Sequence, residues 1–389
     1  MKLIPGFKYM RLWIIALIFI QLMAAGCISQ LKNDEIFLDG ESLTQAWVYD
    51  TGAPINLTPV YASEIVITVP SGGPMLALEI SSGDLRWEYN PPEEIWERGY
   101  TANDHSVYVG LSGGKLVALN TADGEMRWEQ QLGINVQTPP LIVDDMLYVS
   151  TTFVGPGLES DPHGKAKVFA LNSSDGSERW AYESDNYILQ KSFISEDKLY
   201  VGGSYYDPSQ EVDEGGPMRI YALDTKDASP IWIYESLDGY IKAIYATKQE
   251  ATYIAYQDFV NGLDAETGKL IWRKDTGNWV PSLSGWENTI YFGSANTVVH
   301  ALSTDDGDPV WRFNIPEGTF NYVLGAPVRI ADELYFLTQQ GDIMALNAET
   351  GTLLWSLPTG ITSRVGLAVS GGWAIISDQD GRVYAYTNQ

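Results

Sequence analysis

The chain has 389 residues, one cysteine and a formal net charge of −26, with 24 Lys and Arg set against 50 Asp and Glu. That balance repels phosphate, and the few basic residues are scattered, which excludes a nucleic-acid binder. A lone cysteine excludes an intramolecular disulfide framework.

The first 26 residues carry Lys2, Lys8 and Arg11, then an apolar run from Leu12 to Met23, then Ala24, Ala25 and Gly26. Basic, apolar, small is the order of a secretory signal, and the apolar run is shorter than the roughly 20 residues of a comfortable membrane span. Cys27 follows directly. Its position resembles a bacterial lipoprotein box, in which the thiol takes lipid and cleavage leaves the cysteine as the new N-terminus. Residues 1–26 are therefore read as a lipoprotein signal peptide, Cys27 as the lipidation site and 27–42 as a lipid-anchored tether. In a cell with two membranes, Ile28 after the cysteine, rather than aspartate, points to the outer membrane facing the periplasm; otherwise the expected address is the cell surface.

From residue 43 onward the chain repeats. Tryptophan closes a similar phrase at Trp47, Trp87, Trp128, Trp180, Trp232, Trp272, Trp311 and Trp355, in contexts such as ADGEMRW and ETGTLLW. The steps are 40, 41, 52, 52, 40, 39 and 44 residues. A small residue plus leucine precedes seven of these tryptophans, from Ala77-Leu78 to Ala345-Leu346, usually with a glycine turn such as Asp123-Gly124 or Thr350-Gly351 between. Glycine supplies the positive φ of a tight hairpin. Upstream lie runs such as SVYVG and TIYFG, and before them runs such as TPPLIVDD, giving four short strands per repeat. Four strands every forty-odd residues make a propeller blade, so the prediction is an all-β, eight-bladed β-propeller over 43–389. The last repeat ends at Gln389 without a tryptophan strand, and Leu43 to Tyr49 has no hairpin of its own. The N-terminal strand bearing Trp47 is therefore expected to complete the last blade. The eight indoles are expected to dock one blade on the next, a structural role.

Two features depart from the repeat. Blades with a 52-residue step carry insertions at Phe153–Lys165 and Tyr205–Pro217, which bring Glu159, Asp161, Asp207, Glu211, Asp213 and Glu214 onto neighbouring loops. These suit a basic partner or calcium, although Val212 falls where a calcium loop needs its turn glycine. Seven to nine residues after a docking tryptophan stand Trp96, Tyr187, Tyr240, Trp279 and Phe320, an aromatic rim able to stack on peptides or sugars. His105, His163 and His300 occupy unrelated repeat positions and form no metal-ligating motif.

The phrase Ala-Leu, turn glycine, tryptophan resembles the pyrroloquinoline-quinone-type propeller family across the whole chain after the tether. One branch, the quinone-dependent dehydrogenases, implies an adjacent cysteine pair and a calcium site. A single cysteine does not supply that pair. The other branch, cofactor-free lipoprotein scaffolds of outer-membrane β-barrel assembly, shares length, lipobox cysteine and eight blades. The resemblance implies a non-enzymatic, monomeric, lipid-anchored scaffold outside the cytoplasm that binds cell-envelope proteins, with no cofactor and no nucleic acid. A small-ligand or glycan receptor using the rim is the alternative.

Overall fold

The computed structural model describes residues 37–388 except 134, 137, 153–164, 185–186, 206–216, 240, 256–258 and 317–320; at 96–98, 187–188, 190 and 254–255 only the backbone is described. Its described elements are strands alone, 32 of them, in eight four-stranded antiparallel sheets. Seven sheets are simple meanders in chain order: blade 1 within 60–89, blade 2 within 95–131, blade 3 within 141–184, blade 4 within 187–236, blade 5 within 241–275, blade 6 within 284–314 and blade 7 within 328–358. Blade 8 takes Ala368–Ser370, Trp373–Ser377 and Arg382–Asn388 from the C-terminus and Leu43–Asp50 from the N-terminus. Trp47 faces Ala385 across that last pairing, which closes the ring.

Burial follows from this arrangement. A middle strand is covered on both faces by the neighbouring blades, so Ser106–Leu111 is buried at every position and reads as a continuous apolar run. An outermost strand is covered on one face only: in Pro230–Ser236, Trp232 is buried between exposed Ile231 and Ile233.

The tryptophans occupy one structural position in all eight blades. Each pairs in register with a small residue of the third strand: Ala77 with Trp87, Ala118 with Trp128, Ala170 with Trp180, Ala222 with Trp232, Ala301 with Trp311, Ala345 with Trp355. In blade 5, Gly262 takes that place opposite Trp272. The indole then crosses to the next blade, where Nε1 donates to a backbone carbonyl: Trp47 to Ile80, Trp87 to Thr121, Trp128 to Ser173, Trp180 to Thr225, Trp232 to Ala265, Trp272 to Thr304 and Trp311 to Ala348, at 2.6–3.1 Å. A buried indole N–H needs such a partner.

The next blade's turn glycine lies flat under the ring. Gly124 has φ +72°, and a methyl there would sit 2.7 Å from Trp87 Cδ2, closer than packed carbons tolerate. Gly83, Gly176, Gly268, Gly307 and Gly351 repeat this under Trp47, Trp128, Trp232, Trp272 and Trp311. Blade 4 has no turn glycine. Ala228 stands there instead, a non-glycine residue at φ +62°, clustered with Trp180. At the closure, Gly40 of the segment leading into the N-terminal strand lies against Trp355, with Trp355 Cδ2 2.6 Å from where a Cβ would be. That segment is fixed by Leu38 N–H to Tyr335 Oη at 3.2 Å and by Asn388 Nδ2 to the Phe37 carbonyl at 2.7 Å.

Candidate functional site

The two insertions are bounded as expected by the second and third strands of blades 3 and 4, Met146–Ser150 with Ala166–Asn172 and Lys198–Tyr205 with Met218–Asp224. Glu159, Asp161, Asp207, Glu211, Asp213 and Glu214 lie outside the described residues, as do Cys27, His163, Tyr240 and Phe320. Repeat spacing puts Trp96 and Tyr187 in the connections between blades; both instead belong to strands, Ile95–Ala102 and Tyr187–Ser195. The first strands of blades 2 and 4 are longer than the three-residue first strands of blades 1 and 3, and each absorbs a register shift, so the pairing runs further into the connection than repeat spacing suggests.

Trp279 is the rim residue whose side chain is described, and its surroundings define a site. It lies in the connection from blade 5 to blade 6, where Asp275 accepts from Gly277 N–H at 2.7 Å and Gly277 turns at φ +72°. Its carbonyl accepts from Ala295 N–H at 2.8 Å, clipping the loop to the hairpin of blade 6. The same clip recurs one blade on, from Gln339 N–H to the Tyr322 carbonyl at 2.9 Å. Two clipped loops thus bring Trp279 and Tyr322 together, edge to face, with centroids 6.0 Å apart at 89°. Lys242, buried on the first strand of blade 5, places Nζ 5.6 Å from the Trp279 ring centroid. The indole is held by an aromatic edge and an ammonium, yet remains 38% exposed. Neither Lys242 nor Tyr322 was singled out in the sequence. Tyr322 stands 11 residues after Trp311, beyond the window that picked out the rim.

Beside it, the connection from blade 4 to blade 5 presents Leu237, 71% exposed, next to the buried Asp238. Asp238 accepts from Ser236 Oγ at 2.6 Å and from Arg273 Nη1 at 2.9 and 3.0 Å. The Arg273 guanidinium also stacks on Phe259, 3.8 Å from the ring centroid. Tyr253 and Tyr234 pack at the same junction with centroids 5.9 Å apart, and burial pushes the Tyr253 phenol far above its ordinary range. The ion pair makes a rigid base from which Leu237 projects.

The histidines stay apart. His105 is exposed in a turn of blade 2, and His300 is buried in blade 6, stacked on Phe292 at 4.9 Å and bonded to Ser294 Oγ at 2.9 Å. Burial, assisted by the Arg312 charge, pushes the His300 imidazole down to about 4. Among the described residues no group of three or more His, Cys, Asp or Glu side chains converges as a metal site. Cys27, the sole cysteine, cannot supply the adjacent cysteine pair that the quinone-dependent branch implies. Among the described residues no helix is long and apolar enough to cross a membrane.

A family model described as outer membrane protein assembly factor BamB matches residues 90–239 and 193–389. The BamB of Yersinia pestis is 30% identical over 143 residues, 32% of this chain and 35% of that protein. The BamB of Moranella endobia is 23% identical over 236 residues, 56% of this chain and 59% of that one. The chain therefore spans less than two thirds of the length of either relative. A quinohemoprotein alcohol dehydrogenase of Pseudomonas putida is 22% identical over 256 residues, covering 57% of this chain and 33% of the enzyme. The crystal structure of BamB from Moraxella catarrhalis superposes with a TM-score of 0.61 at 18% identity, covering 89% of this chain and 99% of that one; at that identity the likeness speaks to the fold. Ring, repeat and family model agree: the chain belongs to the propeller family described as outer membrane protein assembly factor BamB.

Proposed function

We propose that the protein is a non-enzymatic scaffold, lipid-anchored outside the cytoplasm, that binds segments of cell-envelope proteins on the face bearing Leu237 and Trp279. The exposure of these two side chains on otherwise pinned loops carries the reading. A fixed apolar residue and a fixed indole lose little side-chain entropy when covered, which is what a peptide-binding hot spot needs. Family membership supports assembly of outer-membrane proteins as the setting, and the Cys27 motif supports the anchor. No metal or quinone enters this reading.

The test is co-purification from detergent-solubilised membranes with mass spectrometry, comparing the wild type with a Leu237→Ala/Trp279→Ala variant. Barrel-assembly proteins recovered with the wild type and lost from the folded variant support the scaffold. Unchanged partners would move the contact elsewhere, and Cys27→Ser should release the protein from membranes. A second reading, a glycan receptor, draws on the Trp279 platform alone; it requires saccharide titration to quench indole fluorescence in the wild type and not in Trp279→Ala.

A further inference from the structure

In five blades a tyrosine of the second strand packs beside the docking tryptophan: Tyr108 with Trp128, Tyr148 with Trp180, Tyr200 with Trp232, Tyr291 with Trp311 and Tyr335 with Trp355, centroids 5.8–6.0 Å apart. These tyrosines point at the next blade, as Tyr108 shows by donating from Oη to the Ser173 carbonyl at 3.0 Å. In blade 5 the position belongs to Thr252, which faces Gly262 as Tyr108 faces Ala118. Thr252 therefore points at blade 6, and it is fully buried with no hydrogen-bond partner for Oγ1. Tyr245, opposite Thr252 on the first strand, sends its own hydroxyl to the Glu287 carbonyl at 3.0 Å instead. On the blade 6 side Thr304, whose carbonyl accepts from the Trp272 indole, is also fully buried with Oγ1 unpartnered. Buried hydroxyls normally find a partner.

Charge is unbalanced at the same joint. Two residues before Thr252, on the same face of the strand, stands the buried Glu250, whose Oε2 accepts from Thr247 Oγ1 at 3.0 Å. Its counterpart in blade 4 is Lys198, since Lys198 faces Asp224 and Glu250 faces Asp264 in the two ladders. Lys198 reaches across its joint to Glu266, Nζ to Oε1 at 2.7 Å. Glu266 and Asp305 are counterparts in turn, each two residues before its turn glycine, Gly268 or Gly307. The joint of blades 4 and 5 thus sets an ammonium against a carboxylate, and the joint of blades 5 and 6 sets carboxylate against carboxylate. Burial, with the Asp305 and Asp264 charges adding to it, holds the Glu250 carboxyl above its usual range against the opposing bond from Thr247. Lys248 and Lys274, beside the joint in sequence, are engaged with Glu196 at 3.3 Å and Asp308 at 2.7 Å, and among the described residues neither Glu250 nor Asp305 has an ion pair.

We propose that a hard divalent cation bridges blades 5 and 6 here, with Glu250 and Asp305 as its anionic ligands, the Thr252 hydroxyl as a neutral one and water completing the shell. It takes the position that the Lys198 ammonium holds one joint earlier. Oxygen donors alone select calcium or magnesium over softer metals. Two carboxylates, one of them on the exposed Asp305, suit the weak class of site, with Kd of about 1 mM. The site lies on the face of the strand-one hairpins and turn glycines, opposite the acidic insertions, and it fixes blade 5 against blade 6 at the joint from which the Trp279 loop springs.

The experiment is urea unfolding of the full chain in calcium chloride, in magnesium chloride and in sodium chloride of equal ionic strength, for the wild type, Glu250→Gln and Glu250→Lys. In the wild type, calcium or magnesium at about 10 mM should raise the folding constant about tenfold over sodium, as a concentration ten times Kd requires. Glu250→Gln should gain less than about twofold under the same conditions. Glu250→Lys, which carries its own cation to Asp305, should unfold in sodium at the midpoint of the calcium-loaded wild type and ignore calcium. An equal gain in the wild type and Glu250→Gln puts the bound cation elsewhere and overturns the proposal. A wild type that ignores both cations overturns it as well; if that wild type is instead stabilised on acidification, and Glu250→Gln is not, the joint binds a proton in place of a metal.

Discussion

Gly124 and Ala228 occupy the same repeat position, each under the tryptophan of the preceding blade, and they make opposite demands. Gly124→Ala places a methyl at φ +72° and 2.7 Å from Trp87 Cδ2. The left-handed backbone costs an L-residue about 1–2 kcal/mol, overpacking against the indole adds about 1–3, and reduced freedom of the unfolded chain returns about 0.4–1. The net expectation is a loss of about 2–4 kcal/mol. At φ +62° Ala228 already bears the backbone cost beneath a Trp180 that retains its 2.8 Å bond to the Thr225 carbonyl. Ala228→Gly relieves the backbone, loses a buried methyl worth about 0.8 kcal/mol and frees the unfolded chain, so its stability should lie within about 1 kcal/mol of the parent. Urea denaturation followed by tryptophan fluorescence and far-ultraviolet circular dichroism measures both, and coincident transitions justify a single free energy. If Gly124→Ala unfolds with the parent's midpoint, or if Ala228→Gly loses as much as Gly124→Ala, the indole-on-glycine contact does not govern the blade joint.

Three further outcomes follow from the same geometry. His300 titrates lower when folded than when unfolded, so its contribution is intact above about pH 6.5 and is lost as pH falls toward about 4; the full difference is about 3 kcal/mol. In His300→Gln the midpoint should fall less between pH 7 and pH 4.5 than in the parent, and parallel curves would refute this. Asp238→Ala strands the Arg273 guanidinium and should cost about 2 kcal/mol, below the range for a fully buried pair because Arg273 is partly solvated; Asp238→Ala/Arg273→Met should recover part of that in the same assay. Deleting residues 43–50 removes the fourth strand of blade 8 and the Trp47 bond to the Ile80 carbonyl, and should replace one cooperative transition with broad changes that differ between probes.

The ring was legible because every blade solves the same packing problem with the same residues. Trp and Ala recur in register, the turn glycine recurs under the indole, and the strand lacking at the C-terminus points to the one in excess at the N-terminus. The site was legible only in part. Trp279 stands out by counting, but Lys242, Tyr322, Asp238 and Arg273 come together through loop clips and inter-blade contacts between residues tens of positions apart, for which no period exists. Counting also misplaced Trp96 and Tyr187, because extended first strands took up backbone that spacing had given to loops. The stand-in of Ala228 for glycine was invisible for a related reason: one tolerated strain leaves the repeat looking merely imperfect.

Blade 8 draws its strands from opposite ends of the chain, and this sets an order of events during biogenesis. The segment 43–50 emerges early and must wait, unpaired, until residues 382–388 have been made before its ladder can form. A chain lacking 382–388 would leave that strand without its ladder partner, an open sheet edge in place of a closed joint.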